Sequence, residues 1–280
     1  MKRVDTPFHK MQGAGNDFIL LDWRAADHDI SAQQTQHLAD RHHGVGCDQL
    51  LILRPDPGPG SVARYEIRNA DGSAAGQCGN GARCIGLYLF RLGEVGDQPF
   101  QLDSPAGPIR LQRCADGEFD VDLGAPDFLA RNIPLALDPT DGTYSLDSAW
   151  GPVHFGAVSM GNPHALIEVD DIAAAAVATL GPLVGQHAVF PLGCNVGFAQ
   201  VVDDGNIRLR VFERGAGETL ACGSGACAAV AILRRAGRVA DQVNVFLPGG
   251  RLVIKWDGPG GRIRMKGPAD YVFRGVLCHE

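Results

Sequence analysis

The sequence predicts an α+β protein built by internal duplication: two pseudosymmetric domains, each a mixed, mostly antiparallel sheet curled around a central helix, with the active site in the cleft between them. Three observations lead there. Residues 69–93 return without a gap as residues 213–237, which places Cys78 on Cys222, Gly79 on Gly223, Asn80 on Ser224 and Gly81 on Gly225; a fixed offset over such a span marks a repeat. In each copy a Cys-Gly-x-Gly precedes a helix-forming apolar run, nearly continuous over 85–90 and complete over 226–233, and a helix without a polar face is a buried one. Elsewhere short apolar runs separated by Gly/Pro turns read as strands.

In chain order, residues 8–23 carry Lys10-Met-Gln-Gly-Ala-Gly-Asn-Asp-Phe and then Ile19-Leu-Leu, a Gly-rich loop entering a buried strand. Met160-Gly-Asn-Pro-His-Ala-Leu-Ile answers it in the second half, so Asn162 matches Asn16. Residues 29–42 read as a helix with Ser31 as N-cap, followed by Gly44-Val-Gly-Cys-Asp-Gln and a strand. The second half repeats this with an Ala-rich helix from Asp171 to about Leu180 and then Pro191-Leu-Gly-Cys-Asn, aligning Gly46-Cys47-Asp48 with Gly193-Cys194-Asn195. Strands at 63–69 and 207–213 lead into the repeated motif, and strand pairs at 100–112 and 243–256 follow it. Gly124-Ala-Pro interrupts the pattern, so residues 1–123 form the N-terminal domain and 124–267 the C-terminal domain. The strand-like end of the chain, about 268–280, lies beyond the second copy and can return to the first domain. Residues 138–151 are turn-rich and receive no role.

With 280 residues, a net charge of −7 and no Lys/Arg cluster, the chain argues against nucleic-acid or anionic-membrane partners. No apolar run reaches membrane-spanning length and the start lacks a secretory core, so a cytoplasmic protein is expected. In that setting the eight cysteines are free thiols by default, and their spacing does not suit zinc, so no metal is expected.

The chemistry follows from where the repeated cysteines stand. At a helix N-terminus the first N–H groups have no intrahelical partner and the dipole favours negative charge, which is expected to lower the pKa of Cys78 and Cys222. Two thiols in one cleft suit removal of a proton from one face of a carbon and its return on the other, one acting as base and one as acid. The only lysines are Lys2, Lys10, Lys255 and Lys266, none in a helix-capping motif, which disfavours a pyridoxal Schiff base and points to a cofactor-free reaction. Gly79-Asn80 and Gly223-Ser224 would offer N–H donors to an α-carboxylate. Arg214 could bind a carboxylate and Glu213 an ammonium group. His164 could tune a thiol. Asn16, Gln49, Asn69, Asn162 and Asn195 flank Gly-rich turns, where single amides usually satisfy local backbone. Cys84, Cys114, Cys227 and Cys278 read as small core residues.

These motifs resemble those of the diaminopimelate epimerase family. They are Lys10-Met-Gln-Gly-Ala-Gly-Asn-Asp-Phe, Gly44-Val-Gly-Cys-Asp-Gln, Asn69-Ala-Asp-Gly-Ser with Gln77-Cys-Gly-Asn-Gly-Ala-Arg-Cys, Met160-Gly-Asn-Pro-His, Cys194-Asn-Val, and Glu213-Arg-Gly-Ala-Gly-Glu-Thr with Ala221-Cys-Gly-Ser-Gly-Ala. The resemblance implies a cofactor-independent epimerase that interconverts LL- and meso-diaminopimelate in bacterial lysine and peptidoglycan synthesis. It implies Cys78 and Cys222 as the acid/base pair. It implies substrate contacts at Asn16, Gln49, Asn69, Gly79, Asn80, Asn162, Asn195, Glu213, Arg214, Gly223 and Ser224, with His164 and Glu213 adjusting the thiols. It also implies a homodimer. Two other readings compete: an isomerase of the proline racemase type acting on another amino acid, and a thiol redox sensor using the same two cysteines.

Overall fold

The opening apolar stretch forms two strands rather than a loop feeding one. β1 (Thr6–Gly13) and β2 (Asn16–Asp22) fold back on each other with Gly13 opposite Asn16. The turn uses positive φ at Ala14 (55°) and Gly15 (86°), and the Gly15 N–H donates to Gln12 Oε1 at 2.8 Å. Asn16 is thereby fixed at the first position of a strand.

The computed structural model describes residues 6–25, 28–139, 142–149 and 151–278. Its chain divides into two compact units, Met1–Val121 with Gly267–Glu280, and Asp122–Lys266. In the first, β3 (Gln49–Arg54) lies parallel to β2, and β4 (Ala63–Asn69) antiparallel to β3. β5 (Ala74–Ala75) and β6 (Phe100–Ser104) both pair with β4, β6 in parallel, and β7 (Gly107–Arg113) turns back on β6. β8 (Phe119–Asp122) leads out of the unit. From the chain's far end β18 (Asp270–Leu277) joins the other side of β1 antiparallel, Thr6 opposite Leu277 and Gln12 opposite Asp270, with a register shift at Lys10/Met11.

Parallel neighbours need crossover connections, and the helices supply them. α1 (Ala32–Ala39) joins β2 to β3, and α2 (Gly79–Arg91) lies between β5 and β6. α2 touches β1, β2 and β18 at one end of the strand order and β7 at the other. The sheet therefore curls round its helix, which buries ten of its residues.

The second unit repeats the plan. β9 (Tyr144–Leu146) edges β10 (Val153–Ser159), which forms a hairpin with β11 (Pro163–Glu168). β12 (Asn195–Asp203) is parallel to β11, and β13 (Asn206–Glu213) antiparallel to β12. β14 (Gly217–Thr219) and β15 (Gln242–Leu247) both pair with β13, β15 in parallel, followed by β16 (Gly250–Lys255) and β17 (Arg264–Gly267). α3 (Val177–Gly185) and α4 (Gly223–Arg235) take the crossover positions, and α4 touches β10, β11, β12, β13 and β16.

Four local expectations are corrected. α1 ends at Ala39, short of 42, because Asp40 is extended and its carboxylate takes the His42 and His43 N–H groups at 2.7 and 2.8 Å. Its start is as read: Ser31 and Gln34 form a reciprocal capping box. The Ala-rich residues 171–176 are not helical. Arg210 on β13 draws on the carbonyls of Ile172 and Ala175 at 3.1 and 3.4 Å, and Gln200 Oε1 accepts the Ile172 N–H, so the helix begins only at Val177. The turn-rich segment contributes β9, residues 140, 141 and 150 lying outside those described.

The last correction concerns the repeat itself. Cys47 N–H bonds to Ala39 O and Cys194 N–H to Gly185 O, so these cysteines correspond. Yet β2 and β3 set Phe18 beside Gln49, while β11 and β12 set His164 beside Asn195. With Asn16 matching Asn162, Asn195 answers Gln49, and Asp48 is an extra residue with no counterpart in the second unit.

Candidate active site

Both repeated cysteines are helix N-caps. Cys78 has extended backbone (φ −143°, ψ 108°) and its Sγ accepts the Gly81 N–H at 3.4 Å. Cys222 (φ −118°, ψ 107°) opens α4, its carbonyl accepting the Ala226 N–H at 2.9 Å. Packing requires the second glycine of each motif. A Cβ on Gly81 would lie 2.8 Å from Leu51 Cδ2, and one on Gly225 would lie 3.0 Å from Val211 Cγ2 and 3.2 Å from Cys222 Sγ. The bare glycine lets each helix N-terminus press against its sheet, with the early amides of Gly79, Asn80, Gly223 and Ser224 at the positive end of the dipole.

Around Cys78 the polar groups form a directed chain. Its Sγ lies 3.8 Å from Asn16 Oδ1, which also accepts from Asn80 Nδ2 at 3.3 Å. Asn16 Nδ2 donates to Asp48 Oδ2 at 2.8 Å. Asn80 is 1% exposed, and its Oδ1 has no hydrogen-bond partner among the described residues. Strand register sets Gln49 opposite Asn69, and Gln49 Nε2 donates to Asn69 Oδ1 at 2.8 Å while Asn69 Nδ2 donates to Ser73 Oγ at 3.0 Å. Asp17 stands behind this set, bound by Lys10 and Arg41 at 2.5 and 2.7 Å. Burial opposes its ionisation, but hydrogen bonds from Arg41 and Lys10 and their charges outweigh it and bring its carboxyl down to about 2.

Around Cys222 the arrangement differs. The thiol donates to Glu213 Oε2 at 3.0 Å, and Thr219 Oγ donates to Glu213 Oε1 at 2.5 Å. Ser224 Oγ lies 3.7 Å from Cys222 Sγ. The expected lowering of the thiol pKa is reversed here: burial, then the charge and hydrogen bond of Glu213, push Cys222 well above the usual thiol value, and the Ser224 and Gly225 hydrogen bonds do not compensate. Asn195 Oδ1 accepts the Arg214 N–H at 2.9 Å and its Nδ2 donates to Pro163 O at 3.4 Å; the Arg214 guanidinium donates to Leu192 O at 2.7 Å. His164 is buried, and its Nε2 lies 3.0 Å from Asn162 Oδ1. Burial and the Arg214 charge lower its pKa to about 3, so it stays neutral. Glu213, Ser224 and Gly225 act on the Cys222 thiol, and His164 bonds Asn162.

Asn16, Gly79 and Asn80 stand at the helix end that carries Cys78, and Glu213, Gly223 and Ser224 at the one that carries Cys222, while Gln49 pairs with Asn69, His164 with Asn162 and Arg214 with Asn195. Asp48 and Thr219 stand inside the Gly44-Val-Gly-Cys-Asp-Gln and Glu213-Arg-Gly-Ala-Gly-Glu-Thr motifs, yet the sequence reading gave neither a role, because each acts on another side chain, Asn16 and Glu213, and that contact is visible only in the fold. Of the cysteines read as core, Cys84 and Cys227 are buried, Cys114 is half-buried and Cys278 is exposed. Among the described residues no group of three or more His, Cys, Asp or Glu side chains could hold a metal ion, and no helix is long and apolar enough to cross a membrane.

The fold is shared with solved structures of other proteins. The probable proline racemase of Agrobacterium radiobacter K84 matches 98% of this chain and 93% of its own with a TM-score of 0.72 at 18% identity. The hydroxyproline epimerase of Agrobacterium vitis matches 99% of this chain and 93% of its own, again with a TM-score of 0.72 at 18% identity. At that identity the likeness concerns the fold, two sheet-wrapped helical units. Sequence carries the argument further. The diaminopimelate epimerase family pattern matches residues 8–129 and 156–272, and the diaminopimelate epimerase of Xylella fastidiosa (strain M12) is 50% identical over 279 residues, 99% of this chain and 98% of that one. The chain belongs to the diaminopimelate epimerase family and is an isomerase. The proline-type and redox-sensor readings are not favoured.

Proposed function

We propose that this chain interconverts LL- and meso-diaminopimelate by proton transfer at the α-carbon between two thiols, Cys78 and Cys222, which exchange the roles of base and acid in the two directions. The observation that carries the reading is the paired N-cap geometry, above all the 3.0 Å contact of Cys222 Sγ with Glu213 Oε2. A carboxylate at that distance can receive the thiol proton as the thiolate forms, and the helix N-terminus favours the resulting anion. The amides of Gly79, Asn80, Gly223 and Ser224 bind substrate carboxylate and offset negative charge developing on it. Arg214 assists at a carboxylate, and the side chains of Asn16, Gln49, Asn69, Asn162 and Asn195 fix the substrate's polar ends. His164 supports Asn162. No cofactor takes part.

The setting is cytoplasmic, in lysine and peptidoglycan precursor synthesis, and the working form is a homodimer. Val272, Phe273 and Val276 of β18 are 46–55% exposed and offer apolar surface for it. Sedimentation velocity of wild type against Phe273→Glu tests the dimer: a shift of the variant to monomer is expected.

The activity test uses reduced protein and LL-diaminopimelate in deuterium oxide without added cofactor. Appearance of α-deuterium together with the meso isomer, abolished by Cys78→Ala and by Cys222→Ala, is the expected outcome. Exchange on proline instead, with none on diaminopimelate, would overturn the substrate assignment and leave the fold untouched.

A further inference from the structure

The strongest unassigned feature is the acidic residue that breaks the repeat. Asp48 is the one residue by which the loop entering β3 exceeds the loop entering β12, and its side chain does not face solvent idly. Oδ2 accepts Asn16 Nδ2 at 2.8 Å and the Asp17 N–H at 3.1 Å, while Oδ1 accepts Arg41 Nη2 at 2.8 Å. Arg41 also holds both oxygens of Asp17, at 2.7 and 3.0 Å, and the Asp48 N–H donates back to Asp17 Oδ1 at 3.0 Å.

An ionised carboxylate only accepts hydrogen bonds. Asp48 therefore dictates which way the Asn16 amide points, since only the NH2 end can face it. The carbonyl end must then face α2, where it meets Asn80 Nδ2 at 3.3 Å and Cys78 Sγ at 3.8 Å. The same logic turns the Asn80 NH2 toward Asn16 and leaves the buried Asn80 Oδ1 without a hydrogen-bond partner among the described residues. Two amide orientations follow from one charge.

We propose that Asp48 is a positioning residue: by fixing the Asn16 amide with its carbonyl toward Cys78, it favours the protonated thiol at that cysteine. A carbonyl can accept from S–H but repels a thiolate, whereas a flipped amide would donate N–H to the thiolate and favour it. The second unit lacks this device. There Asn162 is held through its Oδ1 by His164, and Cys222 is governed by Glu213. The two thiols thus have their protons managed by different means, an asymmetry laid over a duplicated scaffold. Other charged groups around this region include Lys10 and Asp17 from β1 and β2, Arg41 after α1, Arg83 on α2, Asp103 on β6 and Asp270 on β18; Tyr65 on β4 and Cys84 on α2 are fully buried and pushed up by burial, so they stay neutral.

The inference concerns the Cys78 thiol itself, and its catalytic meaning rests on the acid/base reading above. The test therefore reads the thiol directly. Alkylation by iodoacetamide is followed by mass spectrometry at the Cys78 peptide, as a function of pH, in full-length wild type, Asp48→Asn, Asn16→Ala and the double variant. In Asp48→Asn, Arg41 retains the side-chain oxygen and the new NH2 faces Asn16, which flips. The midpoint for Cys78 is expected to fall by about one pH unit, so alkylation below the midpoint is about tenfold faster. Asn16→Ala removes the acceptor and also lowers the midpoint. Loss of the Asp48 charge could act on the thiol through space, and the double variant separates the two: a midpoint equal to that of Asn16→Ala supports the relay, and a further drop overturns it. An unchanged midpoint in Asp48→Asn, with its melting temperature retained, also overturns it. Should Asp48→Asn not fold, Asn16→Ala alone decides by whether its midpoint falls. Epimerisation by Cys78→Ala is measured in parallel. Retained activity there would sink the catalytic reading while the alkylation result still judges the relay.

Discussion

At the scale of the residue, the two thiols are matched in backbone and mismatched in surroundings, and Glu213 is the sharpest difference. Glu213 occupies the place of Asn69 in the first copy, so the same strand end carries an acceptor-only carboxylate in one unit and an amide in the other. Glu213→Gln keeps the shape and removes the charge. The Cys222 thiol should then ionise at lower pH, raising its alkylation several-fold at pH 8, while epimerisation falls by about 10² to 10⁴, the usual worth of a positioned proton acceptor. Unchanged alkylation at Cys222 would mean that burial alone holds its proton. A second prediction concerns acid. His164 is held neutral to about 3 against 6.5 in an open chain, so the unfolded state binds more protons than the folded one between these values. Asp17 is brought to about 2 from 3.8, with the same sign over a lower window. Stability is therefore lost as pH falls, beginning below 6.5 through His164 and continuing below 3.8 through Asp17. Urea titrations at pH 7, 5 and 3.5 should show a declining midpoint, and His164→Gln should flatten the step between 7 and 5.

At the scale of the element, each helix N-terminus lies close to its sheet because a glycine stands where a side chain would collide. Gly81→Ala sets a Cβ 2.8 Å from Leu51 Cδ2 on β3 and 3.5 Å from Phe18 on β2, so α2 must lift at the end that carries Cys78. A cost of about 1 to 3 kcal/mol is expected from overpacking. Because the Gly81 N–H also caps the Cys78 sulfur, kcat should fall further than the stability loss explains. Gly86→Ala, on the same helix but with its Cβ 3.0 Å from Phe119 of β8, serves as the control: similar destabilisation in urea with activity near wild type. Equal activity losses in the two variants would remove any special role for the helix start. The helices themselves were legible from their Cys-Gly-x-Gly starts and apolar runs, since burial of every face leaves a plain pattern. α3 was misplaced because alanine-rich composition speaks for a helix only when the backbone is free to close, and Arg210 and Gln200 engage it first.

At the scale of the whole molecule, the duplication was readable from the Cys-centred repeat, and the strand plan followed from it. What the sequence did not disclose was the one-residue insertion at Asp48, since a gapless alignment of Gly46-Cys47-Asp48 looked natural and only strand register exposes the slip. The amide set was likewise invisible singly: Asn16, Asp48 and Cys78 are 32 and 30 residues apart in sequence, and only the wrapped sheet brings them to one helix end. The same wrapping makes the first unit depend on the last strand made. β18 shields β1 along its length: Phe273 meets Phe8 edge-on at 6.0 Å, Tyr271 OH bonds His9 Nδ1 at 2.7 Å, and the buried Arg83 Nε donates to Pro268 O at 3.0 Å. A chain ending at Gly267 would bare the β1 edge and leave that guanidinium short of an acceptor, costs that a marginally stable fold does not absorb. Such a truncation should be insoluble, or, if soluble, should lose hydrogen-exchange protection throughout β1, β2 and α2 while β12, β13 and α4 keep theirs. The milder Gly275→Val, whose Cβ would press on Phe8 Cε1 at 2.5 Å, should lower stability by about 1 to 3 kcal/mol with the same pattern of lost protection. Protection lost equally in both units would mean that they unfold as one cooperative body and that β18 has no privileged partner.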